Sequence, residues 1–276
     1  MRYLGGKHLI GEKISDFLFD HFPPSDVDGY LEPFCGSLGV FKYMTRTIQG
    51  QHYRSCIASD IQPDIIQMWR EAKDGTLIIP KTMNKTIYDE LKKSGSNSCG
   101  QGDSLKAIVG FFLSFGGKYF GGYAQQWEPK EGGKNYLQSF RHSLEKIVPM
   151  IQHEYVSFQC RSYEEWTPTI MGKQKCLIYC DPPYKGTEGY GATIPFEHER
   201  FWKTMREWSK KHIVIISEEH APSDFQSIWS CKKKRKLSSN KQKRLVKREH
   251  LFIYGSVGKK YTKRRGEKYR KTIKRN

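Results

Sequence analysis

Apolar residues along this chain recur in two rhythms. Short continuous or alternating runs closed by turn formers predict strands opening at Gly29 and covering Ser55–Ile61, Tyr155–Cys160, Leu177–Cys180, His212–Glu219 and Glu249–Tyr254. Helical spacing predicts helices over Leu9–Phe19, after the turn at Gly36–Gly39, and over Ile65–Ala72, Leu105–Phe115, Asn135–Ile147 and Glu197–Lys211. The Leu177–Cys180 run suits a central strand of an α/β sheet, buried on both faces, whereas Glu249–Tyr254 reads as a last strand at the sheet edge. Gly75–Pro80 breaks the pattern, and the Gly/Ser-rich residues 94–102 read as a mobile surface loop. Lys185–Pro195 reads as a mobile Gly-rich stretch near a site, and Ser238–Lys247 as a loop or hairpin arm.

Composition narrows this picture. A chain of 276 residues holds one domain with an insertion or two modest domains. It contains no 18-residue apolar run and opens with no signal-peptide pattern, so a soluble, unexported protein is expected. The seven cysteines are odd in number, with no pair at Cys-x-x-Cys spacing, so neither a disulfide framework nor a zinc site is expected and a reducing compartment fits. The net charge of +18 is concentrated: residues 232–276 hold 20 of the 47 Lys/Arg and only Glu249 and Glu267 among the acids. The rest of the chain carries 27 basic and 27 acidic residues. A neutral body with one basic end suits a polyanion, nucleic acid above all, although a solubilising tail from about residue 257 has the same composition. Such a tail is expected to be disordered in isolation.

The candidate chemistry centres on Asp181-Pro182-Pro183-Tyr184, where an apolar strand ends in a carboxylate, two prolines and a ring. Open α/β sheets place ligands at the carboxyl ends of their strands. The prolines fix φ and remove two donors. The Asp side chain, a prolyl carbonyl and the Tyr ring then form two acceptors under a stacking face, which suits a nucleobase amine. A strand-terminating turn is the plain alternative. Gly5-Gly6-Lys7 before a helix exposes backbone N–H groups beside a cation. The Gly36-x-x-Gly39 turn lacks the full dinucleotide fingerprint, so a nucleoside suits it better than a pyrophosphate. Asp60 ends the second strand, where an acid accepts from ribose hydroxyls or caps the next helix. Ser114–Ala124 combines four glycines, four aromatics and Lys118, the makings of a nucleic-acid contact loop or of a tight structural turn. Cys35 and Cys180 read as small core residues rather than nucleophiles.

Tyr3-Leu4-Gly5-Gly6-Lys7, Glu32-Pro33-Phe34-Cys35-Gly36, Ser59-Asp60-Ile61 and Asp181-Pro182-Pro183-Tyr184 stand in the order and spacing of the DNA adenine-N6 methyltransferases, phage and viral members above all. The chain resembles that family to about Tyr254. The resemblance implies a Rossmann-like, S-adenosylmethionine-dependent α/β sheet with an inserted, mainly helical target-recognition region. Its parts would be a cofactor-binding segment 1–74, the insert 75–150, a catalytic segment 151–256 and a basic tail 257–276. It implies that Tyr3, Gly6, Lys7, Glu32, Phe34, Cys35, Gly36, Asp60, Ile61, Ser162, Tyr163 and Asp181 bind the cofactor. Asp181 to Tyr184, including Pro182 and Pro183, would act on a flipped-out adenine. Lys118, Tyr119, Tyr123 and Arg141 would meet duplex DNA. No metal is implied. The sequence departs from the family in having Tyr3 where Trp is frequent and Ser162 where an acid often precedes the aromatic. Methylation of cytosine N4, of RNA or of a protein glutamine would use the same scaffold, and an idle DNA-binding protein would keep the fold. The resemblance places the protein in a cytoplasm, bacterial or of a host cell, and the basic tail would equally suit a nucleus.

Overall fold

The computed structural model describes residues 3–95, 97–124, 135–166, 175–184, 196–233 and 247–255. The Gly-rich 185–195 stretch, positions 238–246 of the basic arm and the tail from 256 lie outside the described residues. The chain divides into two compact units, Met1–Gln174 with Glu188–Pro195, and Lys175–Thr187 with Phe196–Asn276.

The first unit runs α1 (Gly11–His21), β1 (Gly29–Glu32), α2 (Phe41–Met44), β2 (Cys56–Asp60), α3 (Pro63–Asp74), α4 (Lys85–Lys93), α5 (Ser104–Ala107), α6 (Tyr136–Ile151) and β3 (Val156–Cys160). Its strands are parallel in the order β3-β2-β1, with Tyr30 opposite Cys56 and Ala58 opposite Phe158. Every position of β1 is buried, as a strand covered on both faces requires. Helix α3 begins with Pro63 in its first turn, is capped by the Gln62 side chain and stops at Gly75 with φ +76°. Asp60 is therefore not its cap. Helix α4, capped by Asn84, has only Tyr88 buried, too little apolar surface to mark a helix in the sequence. The helix expected over Leu105–Phe115 starts at Ser104 and widens into a π-turn over Ile108–Phe112. Inside that turn a Cβ on Gly110 would lie 2.6 Å from the Tyr119 ring, so glycine is what lets the following loop fold back there.

The second unit runs β4 (Cys176–Cys180), α7 (His198–Ser209), β5 (Ile213–Glu218), β6 (Phe225–Lys233) and β7 (Lys247–Tyr254). Strands β4 and β5 are parallel, β7 is antiparallel to β5, and β6 pairs antiparallel on the far side of β7. The edge expected at Glu249–Tyr254 belongs instead to β6. Leu251, Phe252 and Ile253 are buried in succession, the signature of an internal strand. In β6 a register shift between Ser227 and Trp229 breaks the alternation that would have revealed it.

Two further expectations are corrected. Cys99 and Cys160, 61 residues apart, form a disulfide that no linear spacing announces. The 94–102 loop is not free: besides that bond, Asn97 and the Asp103 N–H donate to Asp64, both at 2.8 Å, and the buried Lys106 ammonium donates to the Gly95 carbonyl. A Cβ on Gly102 would sit 2.2 Å from the Pro63 carbonyl, so the loop lies directly against the start of α3. Among the described residues no helix is long and apolar enough to cross a membrane, and no group of three or more His, Cys, Asp or Glu gathers as a metal site would.

Candidate active site

In the first unit the chain folds four sequence-predicted segments onto one another. The N-terminal loop and the turn after β1 touch backbone to backbone. A Cβ on Gly39 would fall 2.8 Å from the Lys7 nitrogen, and one on Gly6 within 3.1 Å of the Tyr3 carbonyl. Glycines at these positions allow that close approach. Gly36 adopts φ +42° and would, with a Cβ, collide with the Tyr3 ring at 2.7 Å. Its N–H donates to Asp60 Oδ2 at 2.9 Å, and its carbonyl accepts from the Trp69 indole at 2.9 Å, so the turn is held from both sides. The next turn residue, Leu38, is fully buried with φ +56°, a strained conformation for a large side chain.

Asp60 stands at the carboxyl end of β2. Its second oxygen accepts from the Gln62 N–H at 3.0 Å. Burial raises its pKa above the usual carboxylate value, and the N–H groups of Gln62, Gly36 and Ile61 pull it back. Three backbone N–H groups on two oxygens leave this half-buried carboxylate with acceptor capacity for a further hydroxyl. Beside it Ile61 is 67% exposed, an apolar side chain with a face to cover. Phe34 and Tyr163 bring their rings to 5.3 Å. Tyr163 is presented by a short 3₁₀ turn that Ser162 caps in a reciprocal pair with Glu165. Trp166 closes the turn by donating to Ser59, which itself donates to the Arg161 carbonyl. The Ser162 hydroxyl is therefore a cap acceptor. Lys7 is buried and reaches the Gly5 carbonyl at 3.4 Å. Glu32, also buried, accepts from the Tyr30 hydroxyl at 2.7 Å. Cys35 is buried, and burial, then Asp60, then Glu32 push its thiol well up, so no thiolate forms there.

In the second unit Asp181 follows β4 directly, with Pro182 buried and Asp181, Pro183 and Tyr184 half-buried. The Tyr184 hydroxyl donates to Glu249 Oε1 on β7, and the Ser217 hydroxyl on β5 donates to the same oxygen at 2.5 Å. Burial, then Asp181, then Glu249 raise the Tyr184 pKa, so it stays a neutral phenol and a donor. Sequence reasoning missed Glu249. Its signal was available: one of two acids in the most basic 45 residues of the chain, at the head of an apolar run.

The 114–124 segment is a closed turn. Ser114 and Tyr123 bridge, and Gly116, Gly117 and Gly122 all have positive φ. Phe115 is 59% exposed and Lys118 half-exposed. Tyr119 donates to the buried Asp64 at 2.6 Å, Tyr123 to the Met83 carbonyl, and Arg141 to the carbonyls of Ile79 and Pro80. The polar ends of these three predicted DNA contacts are thus engaged inside the first unit. Asp64 was not singled out from the sequence, because an acid in a first helical turn is ordinary.

Each unit thus places a carboxylate at a strand's carboxyl end, Asp60 closing β2 and Asp181 directly after β4, the position where open α/β sheets take their ligands. Residues 3–98 and 113–251 match the family described as D12 class N6 adenine-specific DNA methyltransferase. The chain belongs to that family: it is a DNA adenine-N6 methyltransferase, with the α/β, Rossmann-like fold expected of one. Curated relatives agree at low identity. The retron Ec67 DNA adenine methylase of Escherichia coli is 22% identical over 213 residues, 68% of this chain and 67% of the relative. The type II methyltransferase M.MjaIII of Methanocaldococcus jannaschii is 21% identical over 204 residues, 67% of this chain and 68% of the relative.

Proposed function

We propose that this methyltransferase takes its methyl group from S-adenosylmethionine and delivers it to the N6 of an adenine flipped out of duplex DNA. The observation that carries the donor assignment is Asp60, a half-buried carboxylate at a strand end, held by backbone N–H groups and with acceptor capacity to spare. That acceptor fits a ribose hydroxyl. Ile61, Phe34 and Tyr163 supply apolar surface for an adenine ring, while the Tyr3–Lys7 loop and Phe34–Gly36 form the wall of the cradle. Glu32, buried at the end of β1 just before Phe34–Gly36, is held by the Tyr30 hydroxyl. When bound, the donor supplies an electrophilic methyl on a sulfonium.

The protein's own contribution is to make a poor nucleophile presentable. The N6 lone pair of adenine is delocalised into the ring. Asp181 and the Pro182 carbonyl accept its two hydrogens, which favours a tetrahedral nitrogen with its lone pair free for in-line attack. Asp181 is also the acceptor for the proton the amine gives up. Tyr184 stacks on the base. Because N6 is unreachable inside a duplex, the base must leave the stack. Lys118 and the exposed ring of Phe115 are the elements of the 114–124 turn best suited to meet DNA, with Tyr123 beside them; Tyr119 and Arg141 hold the region in shape.

Incubating duplex DNA with methyl-labelled S-adenosylmethionine and digesting to nucleosides tests the reading. Label is expected in N6-methyldeoxyadenosine, and Asp181→Ala should lower turnover at least about a hundredfold, as for loss of a group acting in the transition state. Label in N4-methyldeoxycytidine, or full activity in Asp181→Ala, would overturn it.

A further inference from the structure

The mechanism asks Tyr184 to present a ring to the target base, and two prolines alone do not do this. They stiffen the backbone up to Pro183, but the Tyr184 side chain keeps its own two torsions. What fixes them comes from two other strands. Glu249 heads the apolar part of β7, fully buried, and accepts the Tyr184 hydroxyl hydrogen on Oε1. Ser217, fully buried near the end of β5, donates to the same oxygen. The sheet register accounts for their meeting. Ser217 lies opposite Leu251, and Glu249 is two residues from Leu251, so both side chains emerge on one face at diagonal positions.

We propose that Glu249, held by Ser217, is a positioning residue for methyl transfer: it sets the plane and height of the Tyr184 ring against which the target adenine stacks. This rests on the reading above, in which Tyr184 is the stacking ring. The arrangement suits the task in two ways. A hydrogen bond from a neutral phenol to a carboxylate is of the strong, charge-assisted kind and leaves the ring one preferred orientation. It also draws electron density toward the ring, which favours stacking on an electron-poor purine. A buried acid is a costly device for mere cohesion, since an apolar residue of similar volume would serve the core better.

The test is a double-mutant cycle on the full chain with Tyr184→Phe, which keeps the ring and loses the hydroxyl, and Glu249→Gln, which keeps an acceptor and loses the charge. Each single variant should lower kcat for DNA methylation on the order of tenfold, with KM for S-adenosylmethionine within about twofold, because a misplaced reacting group costs rate rather than cofactor binding. The double variant should be no slower than the slower single one, since both act through one ring. Multiplying losses, or a Glu249→Gln enzyme with unchanged kcat, would overturn the proposal. A second readout does not depend on turnover. In protein labelled with 13C at tyrosine Cζ, the line absent from Tyr184→Phe belongs to Tyr184, and Glu249→Gln should move that line alone. A stationary line also overturns the proposal. Wild-type protein that leaves adenine unlabelled while the line moves would instead strike at the functional reading.

Discussion

At the scale of the residue, the site depends on positions where one atom more would not fit. Gly36 is the sharpest case. It is the only residue type that adopts φ +42° without strain and also leaves the Tyr3 ring where it lies, since a Cβ would come within 2.7 Å of that ring. Its N–H is one of two backbone donors of the Gly36–Asp60–Gln62 arrangement, so displacing the turn also disturbs the carboxylate. Gly36→Ala is accordingly expected to cost about 1–2 kcal/mol of stability from the left-handed backbone alone. It should also weaken S-adenosylmethionine binding roughly tenfold, an effect of about 1.4 kcal/mol. Calorimetric titration and thermal unfolding of the same preparation check both; unaltered affinity with a lowered Tm would confine Gly36 to a structural role. Leu38 makes the complementary point. Its positive φ is borne by a buried leucine, so the turn is imposed by its surroundings rather than by its own preference.

At the scale of the element, the parts that sequence periodicity reveals are those whose burial is regular. Strands β2, β4 and β5 are apolar runs closed by turn formers, and each lies within a residue or two of its expected bounds, while β1 opens at Gly29 as expected. What escaped were elements whose cause lies elsewhere in the chain. Strand β6 buries only Phe225 among its described side chains, helix α4 only Tyr88, and the Cys99–Cys160 bond joins residues with no local signal. The candidate site divides in the same way. Asp60, Gly36 and the Asp-Pro-Pro-Tyr motif stand out in the sequence because each closes an apolar run with its own turn signal. Glu249 and Asp64 are not, because each acts across strands or segments tens of residues away. Asp64 gathers segments between residues 97 and 119. The Asn97 amide and the Asp103 N–H meet one of its oxygens and the Tyr119 hydroxyl the other, at 2.6–2.8 Å, so α3, the 95–103 loop and the turn after the π-segment share one buried carboxylate. Removing it strands three donors. Asp64→Ala is therefore expected to destabilise by about 3 kcal/mol or more, and Tyr119→Phe, which leaves the other two bonds intact, by about half that. Urea unfolding gives both values. A loss below ~1 kcal/mol in Asp64→Ala would mean that these segments are held together by their apolar packing instead.

At the scale of the whole molecule, the charge is unevenly divided along the chain. Residues 1–231 balance 27 basic against 27 acidic side chains, and the excess of +18 sits wholly beyond them. A DNA methyltransferase must find its site on a polyanion and then hold one base still. Balanced charge around the reacting groups avoids trapping the phosphate backbone there, while a segment of dense positive charge supplies sequence-independent attraction. Residues 257–276 alone contain ten Lys/Arg and one Glu. If that charge neutralises phosphates, truncation after residue 256 should weaken DNA binding and flatten the plot of log K against log salt by about 0.9 for each phosphate no longer neutralised. Turnover at saturating DNA should stay as in the full chain, because the acceptor pair at Asp181 and the carboxylate at Asp60 are untouched. Fluorescence anisotropy on a mixed-sequence duplex from about 50 to 300 mM salt measures the slope. A truncated chain with the full-length slope would show that these charges address some other partner, and the attraction to DNA would then have to come from residues 232–256, where the other ten basic side chains of the segment lie.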